Sequence, residues 1–284
     1  MEHTYRLITS CPDRVGIVAK VSQFVADQGG WLTEANHHAD ADSNWFFMRN
    51  EIKADSLSIG AEAVREAFTP LAQEYDMEWE LVDSARRRKV VILASHASHC
   101  IADLLHRWHS GELYCDIPCV ISNHENLRSM VEWHGIPFEY VPVDPQNKAP
   151  AHARIQELTE SYAADCVVLA RYMQIIPPEF CRAYSGRMIN IHHSFLPSFI
   201  GANPYQKAYD RGVKLIGATS HYVTEQLDEG PIIEQDVIRV SHRHSKDDLV
   251  RLGKDVEKSV LARALRNHLE DRVLVHGNKT VVFD

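Results

Sequence analysis

Apolar positions change their period near residue 85, and that change divides the chain into two patterns. In the first, residues 4–10 alternate as a strand until Cys11-Pro12-Asp13-Arg14 breaks the run. Ile17, Val18, Val21, Phe24 and Val25 then recur at helical spacing, with Asp13 placed to cap the helix and Gln28-Gly29-Gly30 to end it. Strands are expected at 31–38 and 45–53 around a polar turn at 40–44. A second helix over 59–74 carries Ala63, Ala67, Leu71 and Tyr75 along one stripe, and residues 78–82 finish as a strand. The order β-α-β-β-α-β predicts a ferredoxin-like domain over residues 1–84.

The charged stretch 83–88 marks the boundary, and residues 85–284 form the second domain. From Lys89 strands alternate with helices, which predicts an α/β, Rossmann-like, mostly parallel sheet. Strands are expected at 90–94, 117–122, 138–143, 166–170 and 188–192. The helices between them are striped by Ile101, Leu104, Leu105 and Trp108, by Leu127, Met130 and Val131, and by Ile155, Leu158 and Tyr162. Gly201-Ala202-Asn203-Pro204-Tyr205 opens a helix running to Gly212, and strands follow at 215–223 and 231–240. A long amphipathic helix over 245–270 carries Leu249, Leu252, Val256, Val260 and Leu261, and Gly277-Asn278 turns a last hairpin. Ligands of such sheets sit at the carboxyl ends of the strands, where Asn190, His192 and Arg171 fall.

Asn190 and His192, two apart on one strand, point the same way, so an amide donor and an imidazole meet one substrate atom. That pairing suits carbonyl chemistry. Asp228, in the turn closed by Gly230-Pro231, offers a carboxylate that orients His192 or takes a proton from water. His221 lies on a strand facing the site and either supports Asp228 or is a satisfied core histidine. His193 and Ser194 alternate to other faces or lie in the turn and are secondary.

Composition narrows the partners. With 45% hydrophobic and 24% charged residues the chain reads as soluble and globular, and a net charge of -9 argues against a nucleic-acid surface. The basic run Arg86-Arg87-Arg88-Lys89 reads as a solvated linker. No run approaches the ~18 apolar residues of a membrane span and no secretion signal opens the chain, so a cytoplasmic protein is expected. The six cysteines, Cys11, Cys100, Cys115, Cys119, Cys166 and Cys181, are then reduced. Cys115 and Cys119 with His99 lack a second paired cluster, and Cys119 falls in an apolar strand, so no metal and no other cofactor is expected.

Asn190-Ile191-His192-x-Ser194-x-Leu196-Pro197, followed by Leu227-Asp228-x-Gly230-Pro231, resembles the signature of the folate-dependent formyltransferase family. The resemblance covers residues 89–284 and implies a catalytic triad of Asn190, His192 and Asp228. It implies that folate lies against residues 171–177 and 223–228, with Met173, Gln174, Ile176, His221, Thr224, Glu225 and Leu227 as contacts. On sequence alone Met173, Ile175 and Ile176 fit ordinary core packing equally well. Members acting on glycinamide ribonucleotide carry a GxGSN loop after the first strand, whose amides hold the acceptor's phosphate. Here Ala94-Ser95-His96-Ala97-Ser98-His99-Cys100 contains no glycine, so a ribonucleotide acceptor is not expected and water is left as the nucleophile.

The domain order, with Phe46-Phe47-Met48-Arg49 and Lys279-Thr280-Val281-Val282-Phe283, resembles the hydrolytic branch of that family. The implied reaction is hydrolysis of 10-formyltetrahydrofolate to tetrahydrofolate and formate, balancing the one-carbon pool for purine synthesis. Asn190 and protonated His192 would stabilise the oxyanion while Asp228 positions water and moves its proton. The alternatives are formyl transfer to another amine, or a non-catalytic amino-acid and folate sensor. Phe199-Ile200-Gly201 departs from relatives, which often carry lysine at the position of Ile200. Residues 1–84 resemble the ACT domains, through their topology and Asp13-Arg14-Val15-Gly16. That likeness implies an amino-acid effector, commonly methionine or glycine, near Asp13, Gly16 and Asn36, and a homo-oligomer.

Overall fold

The computed structural model describes residues 3–198 and 204–283, and the chain forms two compact units. The first takes in residues 3–87 together with Glu270–His276 and 281–283; the second takes in residues 88–198 and 204–269 with Gly277–Thr280.

In the first unit β1 (Thr4–Pro12), α1 (Ile17–Asp27), β2 (Leu32–Asp40), β3 (Trp45–Lys53), α2 (Ala61–Glu74) and β4 (Glu78–Asp83) follow in order. Their strands form an antiparallel sheet ordered β2-β3-β1-β4, the ferredoxin-like arrangement that the pattern predicts. Leu7, Cys11, Met48 and Ile52 on the sheet close a core with Ile17, Val21 and Val25 of α1 and Val64 and Phe68 of α2. The stripe of α2 differs from expectation: Val64, Phe68 and Ala72 are buried, while Ala63 and Ala67 are exposed. Valine and phenylalanine remove far more apolar area from water than alanine, so the helix rolls toward them. Nor does Asp13 cap α1. The residue before the helix is Gly16, in a left-handed conformation (φ 98°) with no side-chain cap.

The other face of this sheet is covered as well. Phe47 packs with Leu274 and Phe283, and Arg49, 0% exposed, pairs with Glu34 at 3.0 Å and Glu51 at 2.9 Å. Arg49 also donates to the Glu270 carbonyl at 3.0 Å, and Arg6 pairs with Asp271 at 3.2 Å. A charge so deeply buried persists only when paired and hydrogen-bonded. These bonds explain why β3 is buried on both faces and why the chain's last segments belong to its first unit.

The second unit contains β5 (Arg88–Ala94), α3 (His99–His109), β6 (Cys115–Asp116), β7 (Val120–Ser122), α4 (Arg128–Trp133), β8 (Phe138–Tyr140), α5 (Lys148–Ser161), β9 (Cys166–Ala170), α6 (Pro178–Ala183), β10 (Met188–His192), α7 (Pro204–Arg211), β11 (Leu215–Tyr222), β12 (Ile232–Arg239) and α8 (Lys246–Leu269). The sheet runs β12-β11-β10-β9-β5-β7-β8, with β6 also paired to β5. It is parallel from β8 to β10 and antiparallel through β11 and β12. Residues 90–94 and 166–170 are buried without alternation, as strands covered on both faces are. The strand expected at 117–122 is cut by Pro118, leaving β7, and the one expected at 138–143 stops before Pro142, since proline donates no ladder hydrogen bond. The terminal hairpin is β13 (Val273–His276) and β14 (Lys279–Val282), turning at Gly277. Ile200 and the Gly201-Ala202-Asn203 stretch lie outside the described residues.

Candidate active site

β10 lies between parallel β9 and antiparallel β11, and its register sets Asn190 opposite His221. That cross-strand pairing brings Asn190 Nδ2 to 3.2 Å from His221 Nε2. The His221 Nδ1 stands 2.9 Å from the Tyr222 carbonyl and donates to it, so in the neutral ring Nε2 is the acceptor of the Asn190 amide. One N–H of that amide remains for a substrate.

Beyond β11 the chain doubles back. Gly230 packs against the Tyr222 carbonyl where no Cβ fits, and Tyr222 N donates to the Pro231 carbonyl at 2.9 Å. This tight return, with Asp228 itself left-handed (φ 58°), carries the carboxylate over the end of β10. Asp228 Oδ2 stands 3.2 Å from His192 Nδ1, and Oδ1 stands 3.7 Å from His221 Nε2. Burial pushes the Asp228 carboxyl up, but the hydrogen bond from His192, with His221 close by, outweighs it and holds the group well below the usual carboxylate range. The other imidazole nitrogen, His192 Nε2, is buried and has no hydrogen-bond partner among the described residues. A buried, unpaired ring nitrogen beside an amide N–H is equipped to meet an anionic oxygen.

Asn190, His192 and Asp228 line one cavity of about 570 Å³, together with all seven expected folate contacts, Met173, Gln174, Ile176, His221, Thr224, Glu225 and Leu227. The ambiguity over the 173–176 loop resolves residue by residue. Met173 and Ile175 are 58% and 57% exposed at the cavity, so they are not core, whereas Ile176 is buried in the main cluster. Leu227, at 63%, adds a third exposed apolar side chain to this wall. Ser194 is structural: its hydroxyl donates to the Ser198 carbonyl at 2.8 Å. His193, by contrast, lines the cavity with its ring stacked on His192, the centroids 5.3 Å apart.

A second polar cluster backs the cavity. Glu257, 1% exposed on α8, receives Tyr205 Oη at 2.5 Å on one oxygen and His99 Nε2 at 2.7 Å on the other, with Arg171 Nε at 3.4 Å. Glu257 escaped the sequence reading although a signal existed, a charge one position from Val256 inside the apolar stripe of α8. Cys100 joins His99 and Glu257 with ligand atoms within 4.8 Å of one another, a spacing open to a metal ion. The fit is poor, because the Arg171 cation pairs with the same carboxylate and burial pushes the Cys100 thiol well above its usual value, keeping it protonated.

In the first unit the effector candidates do not converge. Asn36 pairs in register with Arg49, on the face opposite the helices, and its amide donates to Glu34 at 2.6 Å. Asp13 and Gly16 precede α1, whose buried residues pack on the other face.

Residues 88–265 match the family model described as formyl transferase. A formyltetrahydrofolate deformylase of Bacillus subtilis is 49% identical over 280 residues, covering 98% of this chain and 93% of that protein. The crystal structure of a formyltetrahydrofolate deformylase from Pseudomonas syringae pv. tomato is 66% identical, with a TM-score of 0.98 over 100% of this chain and 95% of that one. A glycinamide ribonucleotide transformylase from Symbiobacterium toebii is 27% identical, with a TM-score of 0.67 over 72% of this chain and 98% of its own.

Proposed function

Since the chain belongs to the formyltetrahydrofolate deformylase family, we propose that it hydrolyses 10-formyltetrahydrofolate to tetrahydrofolate and formate through Asn190, His192 and Asp228. The observation that supports this reading is the 3.2 Å approach of Asp228 to His192 Nδ1, which leaves Nε2 without a hydrogen-bond partner among the described residues. Water adds to the formyl carbon. The oxyanion of the tetrahedral intermediate accepts hydrogen bonds from the Asn190 amide and from protonated His192. Asp228, held ionised, aligns the water and relays its proton to the folate nitrogen as the carbon–nitrogen bond breaks. The apolar side chains of Met173, Ile175 and Leu227 suit the flat face of a pterin, while Thr224 and the backbone of 223–228 suit its polar edge. This reaction calls for no resident cofactor or metal.

The wider reading follows the same resemblance. The ferredoxin-like unit acts as an ACT regulatory domain in a cytoplasmic homo-oligomer, taking an amino acid such as methionine or glycine near Asp13 and Gly16. The formate released would feed, and the hydrolysis balance, the folate pool used for purine synthesis.

The deciding experiment follows formate from 10-formyltetrahydrofolate with no amine present. Wild type should release formate stoichiometrically and Asp228→Asn should not. Absence of formate from folded wild-type protein refutes the hydrolase.

A further inference from the structure

Arg171 is a bulky residue in a backbone conformation that favours glycine. It ends β9 with φ 61°, and left-handed backbone in a residue with a side chain is a local cost that the surroundings must offset. The offset is visible. Its guanidinium pairs with Glu257 at 3.4 Å, while its Nη1 reaches His193 Nδ1, the ring stacked on His192. Tyr205 completes the wall, with its hydroxyl on Glu257 and its ring 6.2 Å from that of His193. Arg171, His193 and Tyr205 all line the cavity, and none of the three is among the seven expected folate contacts.

A nucleophile larger than water has to share the cavity with the formyl donor, and this wall carries lining residues outside the donor's expected contacts. Glu257 alone would make such an entry attractive to an amine, since a buried carboxylate draws an alkylammonium strongly in a low-dielectric wall. The Arg171 cation already occupies the position that such an ammonium would take. We propose that Arg171, held against Glu257, is a specificity-determining residue that bars amine acceptors from the cavity and leaves water as the nucleophile. This inference rests on the hydrolase reading and adds the residue that separates hydrolysis from formyl transfer to a primary amine.

Arg171→Gly is the direct test, because glycine tolerates the positive φ and takes the arginine cation away from Glu257, which keeps Tyr205 and His99 beside an opened space. With 10-formyltetrahydrofolate and increasing glycinamide, wild type should yield formate alone. Arg171→Gly should shift the ratio of N-formylglycinamide to formate by about tenfold or more, saturably in amine. Added guanidinium ion should return the ratio toward hydrolysis, which a merely structural effect would not do. Arg171→Gly with Glu257→Gln should lose the saturation. Should Arg171→Gly not turn over, Arg171→Asn, which also tolerates positive φ and removes the cation, is read by the same ratio. A ratio unchanged from wild type in a variant that turns over, or two inactive variants, overturns the proposal. Failure of wild type to release formate would instead refute hydrolysis itself.

Discussion

The phenol ring of Tyr205 fills the space in which a side chain at Gly253 would begin. A glycine inside a long helix costs about 1 kcal/mol relative to alanine, and here the missing Cβ is what admits an aromatic ring from α7. With its ring seated there, the Tyr205 hydroxyl reaches Glu257.

Gly253→Ala therefore sets two effects against each other. Helix propensity favours alanine by about 1 kcal/mol, while forcing the ring out of a packed wall costs about 1–3 kcal/mol. We expect a net loss of about 1 kcal/mol in urea unfolding and a fall in kcat/KM larger than that loss of stability accounts for. A variant more stable than wild type with full activity would contradict the packing described.

Asn190→Ala removes the proposed oxyanion donor from a strand that is otherwise intact. Turnover should fall about 10²–10³-fold, equivalent to about 2.7–4 kcal/mol of barrier, with KM for the folate changed much less. Steady-state formate release checks it; an effect on KM alone would show that the amide binds rather than activates.

The pH dependence follows from Asp228, whose ordinary value is 3.8 and whose folded value is lowered. A lowered carboxyl stabilises the fold fully above its unfolded value, and that contribution is lost as pH falls through the folded value. The lowered Glu51 and Glu257, ordinarily 4.5, add in the same direction and the same acid window. These three groups should thus cause no change in the unfolding midpoint between about pH 6 and 7, and the midpoint should fall below about pH 4, less steeply in Asp228→Asn. Asp228 should also contribute no inflection to the pH–rate profile above about pH 5. An inflection there that disappears in Asp228→Asn would show the carboxyl to be less strongly held.

Arg49 tests the buried charges of the first unit. Arg49→Ala leaves Glu34 with Arg272 at 3.1 Å and Glu51 with the more distant Arg6 at 3.9 Å, and should cost about 3 kcal/mol in urea unfolding. The further change of Glu51 to Gln in that background should recover part of the loss, because one weakly compensated charge is removed.

Legibility in the sequence followed the range of the interactions. Residues 166–170 are legible as a strand from a continuous apolar run between breakers and residues 188–192 from alternation, both local signals, and they match β9 and β10. The stripe of α2 was misread because alanine fits either face of a helix, and only Val64 and Phe68 meeting the sheet decides between them. Asn36 illustrates a different limit. Strand parity assigns it to a face, but which face meets α1 depends on how the sheet is covered.

The sequence by itself determined the two patterns and the βαββαβ order, since periodicity and turn chemistry are encoded within a few residues, while Asn190, His192 and Asp228 with their folate-side neighbours are singled out by the family resemblance. Only the tertiary structure decided that Gly230 brings Asp228 to His192, that Glu257 reaches Arg171 and Tyr205, and that the chain's last segments join its first unit. Those relationships depend on register, helix rotation and burial of charge, which arise when distant segments exclude water from one another.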